Sequence, residues 1–120
     1  GNKNDTANMT SYVERTGLTI DETGRNSPAT VKHVTSVWPK MTISDDNTVN
    51  VYVGSQMSTE EDITWEGPYT FNPDTQSKVP VRVTGKYIGV KFESTGDQTW
   101  RLDGYDLELK NSGIRGSKMN

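Results

Sequence analysis

The sequence predicts an all-β protein, a single antiparallel β-sandwich of the jelly-roll or Greek-key type with extended polar termini. Apolar and polar residues alternate over several short segments, which is the pattern of half-buried strands. Turn signals separate these segments about every 8–12 residues, as in small sandwiches and barrels. The only candidate for helix is one turn at Ser58–Asp62, where a serine cap precedes acidic residues. The 120 residues suit one domain, which we predict at 12–110 between arms at 1–11 and 111–120.

Composition narrows the classes of protein further. Hydrophobic residues make up 30% of the chain, below the ~45–50% typical of soluble domains, so we expect a thin core that a neighbouring subunit completes. The absence of cysteine excludes disulfides, thiolate metal sites and cysteine nucleophiles. A net charge of −3 argues against non-specific nucleic-acid binding. No segment has the ~20 apolar residues of a membrane helix, and the polar start does not resemble a signal peptide. The initial glycine suggests a processed product or a fragment.

The first half of the chain contains weaker strand signals before one strong signal. Tyr12–Ile20 predicts an irregular strand, and Asp21–Pro28 a turn-rich loop. Val31–Trp38 is rich in β-branched residues and predicts a strand that ends at Pro39. In Thr48–Gly54, alternation is strict and predicts one buried face formed by Val49, Val51 and Val53.

The second half contains four more predicted strands. Pro68–Phe71 is followed by the turn signal Asn72-Pro73-Asp74. Val79–Val83 contains Pro80, which cannot donate to a ladder and therefore predicts an edge strand. Lys86–Glu93 should direct Ile88, Val90 and Phe92 inward. Between these last two strands, we predict a hairpin turn at Thr84-Gly85-Lys86, with a positive φ at Gly85.

The last strand, Trp100–Leu109, changes phase along its length. Trp100 and Leu102 lie at even positions, whereas Tyr105, Leu107 and Leu109 lie at odd ones. One inserted residue would return all five side chains to the same face. We therefore predict a β-bulge at Gly104.

Residues that could carry chemistry are few. His33 is the only histidine, and no nucleophile motif accompanies it. The acidic pairs at Asp45-Asp46 and Glu60-Glu61-Asp62 offer oxygen ligands for calcium but lack the spacing of a calcium loop. We predict no catalytic residue, no metal site and no cofactor, and expect the protein not to be an enzyme.

Aromatic residues are the stronger candidates for recognition. Tyr52 and Tyr87 should point outward from their strands, and Trp65 should lie where a loop enters a strand. Trp100 is expected to close the core. The candidates for a protein interface or a ligand surface are Trp38, Tyr52, Trp65, Tyr69, Tyr87 and the tail residue Arg115.

Several of these segments together resemble a known viral module. The segments are Gly54-Ser55-Gln56, Ile63–Pro73, Val81–Ser94 and Trp100–Asp106, with Tyr12–Leu18 resembling the module's opening. They are similar to the C-terminal β-sandwich of tailed-bacteriophage virion proteins, the tail and neck components of short-tailed phages that include nozzle-like and stabilisation proteins. The likeness spans about residues 12–116. It implies a structural role and location in the virion, with other copies of the chain and other virion proteins as partners.

Three functional hypotheses follow. The first is a non-enzymatic structural subunit of a phage tail, neck or capsid surface. The second is a carbohydrate- or receptor-binding module, whose partner would be a host-surface glycan; it requires two exposed, coplanar rings in one groove. The third, a small hydrolase on a jelly-roll scaffold, is disfavoured by the single histidine. We expect neither nucleic acid nor membrane as a partner.

Overall fold

The chain folds as two antiparallel four-stranded sheets packed face to face, confirming the predicted β-sandwich. The computed structural model describes residues 6–8, 12–21, 23–43, 47–94 and 99–111. The strands are β1 (Thr6–Asn8), β2 (Tyr12–Leu18), β3 (Lys32–Ile43), β4 (Val49–Gln56), β5 (Thr64–Phe71), β6 (Val79–Gly85), β7 (Tyr87–Ser94) and β8 (Thr99–Asn111). Sheet A has the order β1-β8-β3-β6, and sheet B the order β2-β7-β4-β5. Apart from 6–8 and 111, the predicted arms lie outside the described residues.

The inward faces of both sheets form one core, as the alternation predicts. Val49, Val51 and Val53 are fully buried, and so are Val90 and Phe92 on the neighbouring strand β7. Trp100 is also buried, confirming its predicted place in the core. Because adjacent side chains on a strand point to opposite faces, the residues between these core positions form the outer surface of each sheet.

The predicted hairpin at Thr84-Gly85-Lys86 is wrong, because the strands on either side of it belong to different sheets. β6 is an edge strand of sheet A, as Pro80 predicts, whereas β7 lies inside sheet B. Gly85 does not have a positive φ. Instead, the glycine lets the crossing chain approach β4 closely, since a Cβ atom there would lie 2.7 Å from Ser55 Cβ. The Lys86 N–H then donates to the Gln56 carbonyl at 3.0 Å.

A buried lysine secures the same crossing. Lys32 is only 1% exposed. Its Nζ donates to the carbonyls of Ser27 and Lys86, the latter at 2.7 Å. Burial lowers the pKa of Lys32 below its ordinary value, an effect that Asp21 partly opposes. The ammonium therefore joins the loop before β3 to the link between β6 and β7.

Strand β3 does not end at Pro39, as the sequence suggested, but continues to Ile43. β6 pairs with β3 only as far as Val37, whereas β8 pairs with β3 along its whole length. Beyond Val37 one edge of β3 therefore faces no described strand, and a residue that lacks an N–H is tolerated there.

The predicted bulge in β8 is confirmed. Lys40 pairs with Gly104 and Met41 with Leu102, so Asp103 has no opposite residue on β3. At Ser58–Asp62 the chain forms a turn rather than a helix. No helix in the described part of the chain is long and apolar enough to cross a membrane.

The two sides of the sandwich differ. On one side, β6 packs against β4 and β5 and brings the sheets together. On the opposite side, the edge strand β2 and the part of β8 that β1 does not cover have little direct contact among the described residues. In the part of the chain that the structure describes, the sandwich is therefore open along the β2/β8 side.

Candidate interaction surfaces

Trp65 lies against a row of glycines on the outer face of sheet B. The residue pairs with Gly54 on β4, and Gly54 pairs in turn with Gly89 on β7. Cβ atoms built at Gly54 and Gly89 would lie 2.8 Å from Trp65 Cε3 and 3.1 Å from Trp65 Cη2, respectively. The two glycines thus leave the space into which the half-buried indole packs.

Lys91 joins Trp65 to a second aromatic residue. Its Nζ lies 4.7 Å from the ring centroid of Trp65 and 4.7 Å from that of Tyr52. Both distances are within the range of cation–π attraction. Tyr52 also donates its hydroxyl to Glu93 at 3.3 Å. Burial, and then the nearby Glu93 carboxylate, raise the pKa of Tyr52, so the hydroxyl keeps its proton at neutral pH. We call Trp65, Tyr52, Lys91 and Glu93 the sheet B aromatic cluster.

Trp38 forms a separate surface on the outer face of sheet A. It is 38% exposed, and its indole N–H donates to the Glu108 carboxylate at 3.3 Å. The Nζ of Lys78 lies 5.2 Å from its ring centroid. Trp38 and Trp65 therefore lie on opposite faces of the sandwich and cannot bind one small ligand together.

The remaining predicted candidates have different locations. Tyr87 is on the outer face of sheet B, two residues before Gly89, and is half-buried. Tyr69 pairs with Val51 and packs inward against the core. Arg115 lies outside the described residues.

A groove runs along the open β2/β8 side of the sandwich. Its volume is about 610 Å³. The lining is apolar at its centre and acidic at its rim: Leu18, Ile20, Asp21, Gly24, Ile88, Tyr105, Asp106, Leu107, Glu108 and Leu109. Ile20 is 48% exposed. The sequence has no local signal of this groove, because the groove forms between strands that are far apart in the chain and lie in different sheets.

Two of the residues considered for catalysis or metal binding, His33 and Glu61, make side-chain contacts within the fold. His33 Nδ1 is 2.9 Å from the Thr84 hydroxyl. The Glu61 carboxylate accepts the Met57 N–H at 2.7 Å and stabilises the turn after β4. Among the described residues, no group of three or more histidines or acids is placed to hold a metal ion; Asp45 and Asp46 lie outside that part of the chain.

Comparison with known proteins adds no family assignment. No family model matches the chain, and no curated protein matches it significantly.

Proposed function

We propose that this chain is a non-enzymatic structural subunit of a bacteriophage virion, in the tail, the neck or the capsid surface. The observation that carries the proposal is the presence of a partly exposed tryptophan on each outer face of the sandwich, Trp38 on sheet A and Trp65 on sheet B. Tryptophan and tyrosine are enriched at protein interfaces and dominate their binding energy.

Two such surfaces on opposite faces suit a subunit with two neighbours. When one face of a subunit contacts the other face of the next, the contacts repeat head to tail and close into a ring if the rotation allows. Lys78 beside Trp38 and Lys91 beside Trp65 give each aromatic surface a cation. The resemblance to the sandwich module of phage tail and neck proteins supports the same role. The partners would be other copies of the chain and other virion proteins.

The location can be tested on virus particles. Antibodies raised against the recombinant chain would be applied to purified particles of the phage that encodes it, for immunogold electron microscopy and for mass spectrometry of the same particles. We expect gold at one fixed position on the particle and peptides of this chain at a constant ratio to the capsid protein. Peptides only in the non-particle fraction of the lysate would contradict the proposal.

A carbohydrate- or receptor-binding module is the second candidate, and the sheet B aromatic cluster favours it. Trp65 and Tyr52 lie on the same face, and Lys91 could donate hydrogen bonds to sugar hydroxyls or pair with an acidic sugar. On a glycan array, this function predicts binding that Trp65→Ala abolishes while Trp38→Ala, the matched change on the other face, leaves it intact. An array without binding would remove this candidate.

A further inference from the structure

The groove on the β2/β8 side combines a strand edge with apolar space, the two features that strand addition requires. In the described residues, β8 has a second neighbour only at Thr99–Arg101, where β1 pairs with it. No described strand lies along its edge at Asp106–Leu109. Edge backbone of this kind can pair with an added strand.

The apolar side chains beside this edge suit an added strand, in which every second side chain points to the same face. Leu107 and Leu109 of β8 point into the groove, and Leu18 and Ile20 line it from the β2 side. Every second side chain of an extended segment paired with β8 would therefore enter apolar space, whereas the intervening ones would face the outer surface of sheet A.

Charge indicates which segment fits. Among the described residues, those lining the groove include the acids Asp21, Asp106 and Glu108, but no lysine or arginine. Hydrogen bonds from the Thr23 hydroxyl and the Arg25 and Thr23 N–H groups lower the pKa of Asp21, so it is charged at neutral pH. Asp106 pairs with Lys40 at 3.1 Å, but both side chains are about two-thirds exposed, so the pair neutralises little.

The same acids disfavour a second copy of β8 that pairs in the register centred on Leu107. Two β8 edges paired about a two-fold axis at Leu107 would place Asp106 opposite Glu108 of the other copy. Like charges directly opposite each other destabilise a sheet.

We infer that this groove binds an extended segment of a partner protein, which adds a strand to the β8 edge of sheet A. The segment carries apolar side chains at every second position and lysine or arginine between them. This inference rests on the proposed assembly role and deepens it, because it names how one type of neighbour attaches.

Synthetic peptides of about nine residues test the inference on the full chain. One peptide alternates isoleucine with lysine, and a second alternates isoleucine with glutamate. Two further peptides have the sequence of the first, with every second amide N-methylated: the odd-numbered amides in one and the even-numbered amides in the other. Isothermal titration calorimetry would give their affinities. Hydrogen exchange would locate the contact.

We expect the lysine peptide to bind, with slower amide exchange at Asp106–Leu109. The glutamate peptide, and the N-methylated peptide of one phase, should bind at least ~10-fold more weakly, since they lose charge attraction and backbone hydrogen bonds. Leu107→Lys should abolish binding. Thr42→Lys, on an exposed part of sheet A, should not. Leu107→Ala, which removes apolar contact without adding charge, should weaken binding and serves if Leu107→Lys does not fold.

Three results would overturn the inference: no binding of the lysine peptide, equal affinity for the glutamate peptide, or equal affinity for both N-methylated peptides. Protection of Asp106–Leu109 by self-association without peptide would also overturn it, because a second copy would then be the occupant. If no peptide binds but immunogold labelling places the chain on the virus particle, the strand-addition site is refuted and the proposed function is retained.

Discussion

At the scale of single residues, the packing of Trp65 against Gly54 and Gly89 shapes the outer face of sheet B. Gly54 and Gly89 carry no side chain where the indole rests. Glycine weakens a strand interior because it restricts the backbone less than other residues do. Its use at two paired positions therefore has a local cost that the packing of Trp65 offsets.

This packing predicts a coupling between Gly54 and Trp65. A methyl group at Gly54→Ala would lie 2.5 Å from Ile63 Cγ2 and 2.8 Å from Trp65 Cε3. Overpacking of this kind costs about 1–3 kcal/mol of unfolding free energy. In a Trp65→Ala background, the same change should cost less, because the clash with the ring is removed while the contact with Ile63 remains. Chemical denaturation of the four proteins gives the coupling, and an equal cost in both backgrounds would contradict this account.

The buried Lys32 predicts a dependence of stability on pH. Burial lowers its pKa in the folded state below the ordinary value of 10.5. Between these two pKa values, the unfolded chain binds more protons than the folded one, so the unfolding free energy rises with pH. The Lys32→Met variant has no titrating group at this position, so its unfolding free energy lacks this contribution to the rise with pH.

Denaturant unfolding of both proteins at several pH values up to 10.5 measures the effect. The stability of the original protein relative to Lys32→Met should increase with pH. Lys40→Met, a change at an exposed lysine, controls for loss of a surface charge. If the difference in unfolding free energy between the original protein and Lys32→Met is constant or falls with pH, the pKa of Lys32 is not lowered in the folded state.

At the scale of elements, the bulge in β8 lets one strand keep its apolar residues on one face. Asp103 is the residue without a partner on β3. Deleting it would leave Leu102 opposite Met41 and Gly104 opposite Lys40, and would keep Tyr105, Leu107 and Leu109 facing inward. We therefore expect the shortened protein to fold, with its melting temperature only modestly lowered.

Deletion of Asp106 is the matched control. It lies beyond the bulge, and its loss would turn Leu107 and Leu109 to the outer face. Melting temperatures from circular dichroism should fall far more for this deletion than for that of Asp103. Equal decreases in melting temperature for the two deletions would show that the bulge does not act by keeping the apolar residues of β8 on one face.

The same elements show which parts of the fold a sequence can reveal. Alternation of Val49, Val51 and Val53 is a local property, so the buried face of β4 was predictable, and so was the bulge in β8. Assignment of a strand to a sheet depends on partners that are distant in the chain. The spacing around Gly85 is equally compatible with a hairpin and a crossing, and the pairing of β6 with β3 and of β7 with β4 distinguishes them.

The candidate sites likewise combine features that are local in the sequence with contacts between distant strands. The outward direction of Tyr52 was predictable from its strand, but its approach to Trp65 through Lys91 depends on the register of β4, β5 and β7. The burial of Lys32 does have a signal in the sequence, because Lys32 is in phase with the core residue Val34. The β2/β8 groove had no local signal.

At the scale of the whole molecule, the asymmetry of the sandwich is the main feature. One side is closed by β6. As far as the described residues show, the other side is open above an apolar groove with an acidic rim, and each outer face carries a tryptophan. A small domain with few apolar residues gains little stability from its own core. Contacts with neighbouring subunits would bury the apolar surface that this fold leaves exposed.

Molar mass in solution tests the proposed assembly role most directly. Light scattering after size exclusion would be measured over a range of concentrations on the full chain and on a variant with both Trp38→Ala and Trp65→Ala. The account predicts an oligomer of the 13.4 kDa chain that dissociates to monomer in the variant, with unchanged circular dichroism. A monomer at every concentration, or an oligomer that the two substitutions leave intact, would contradict it.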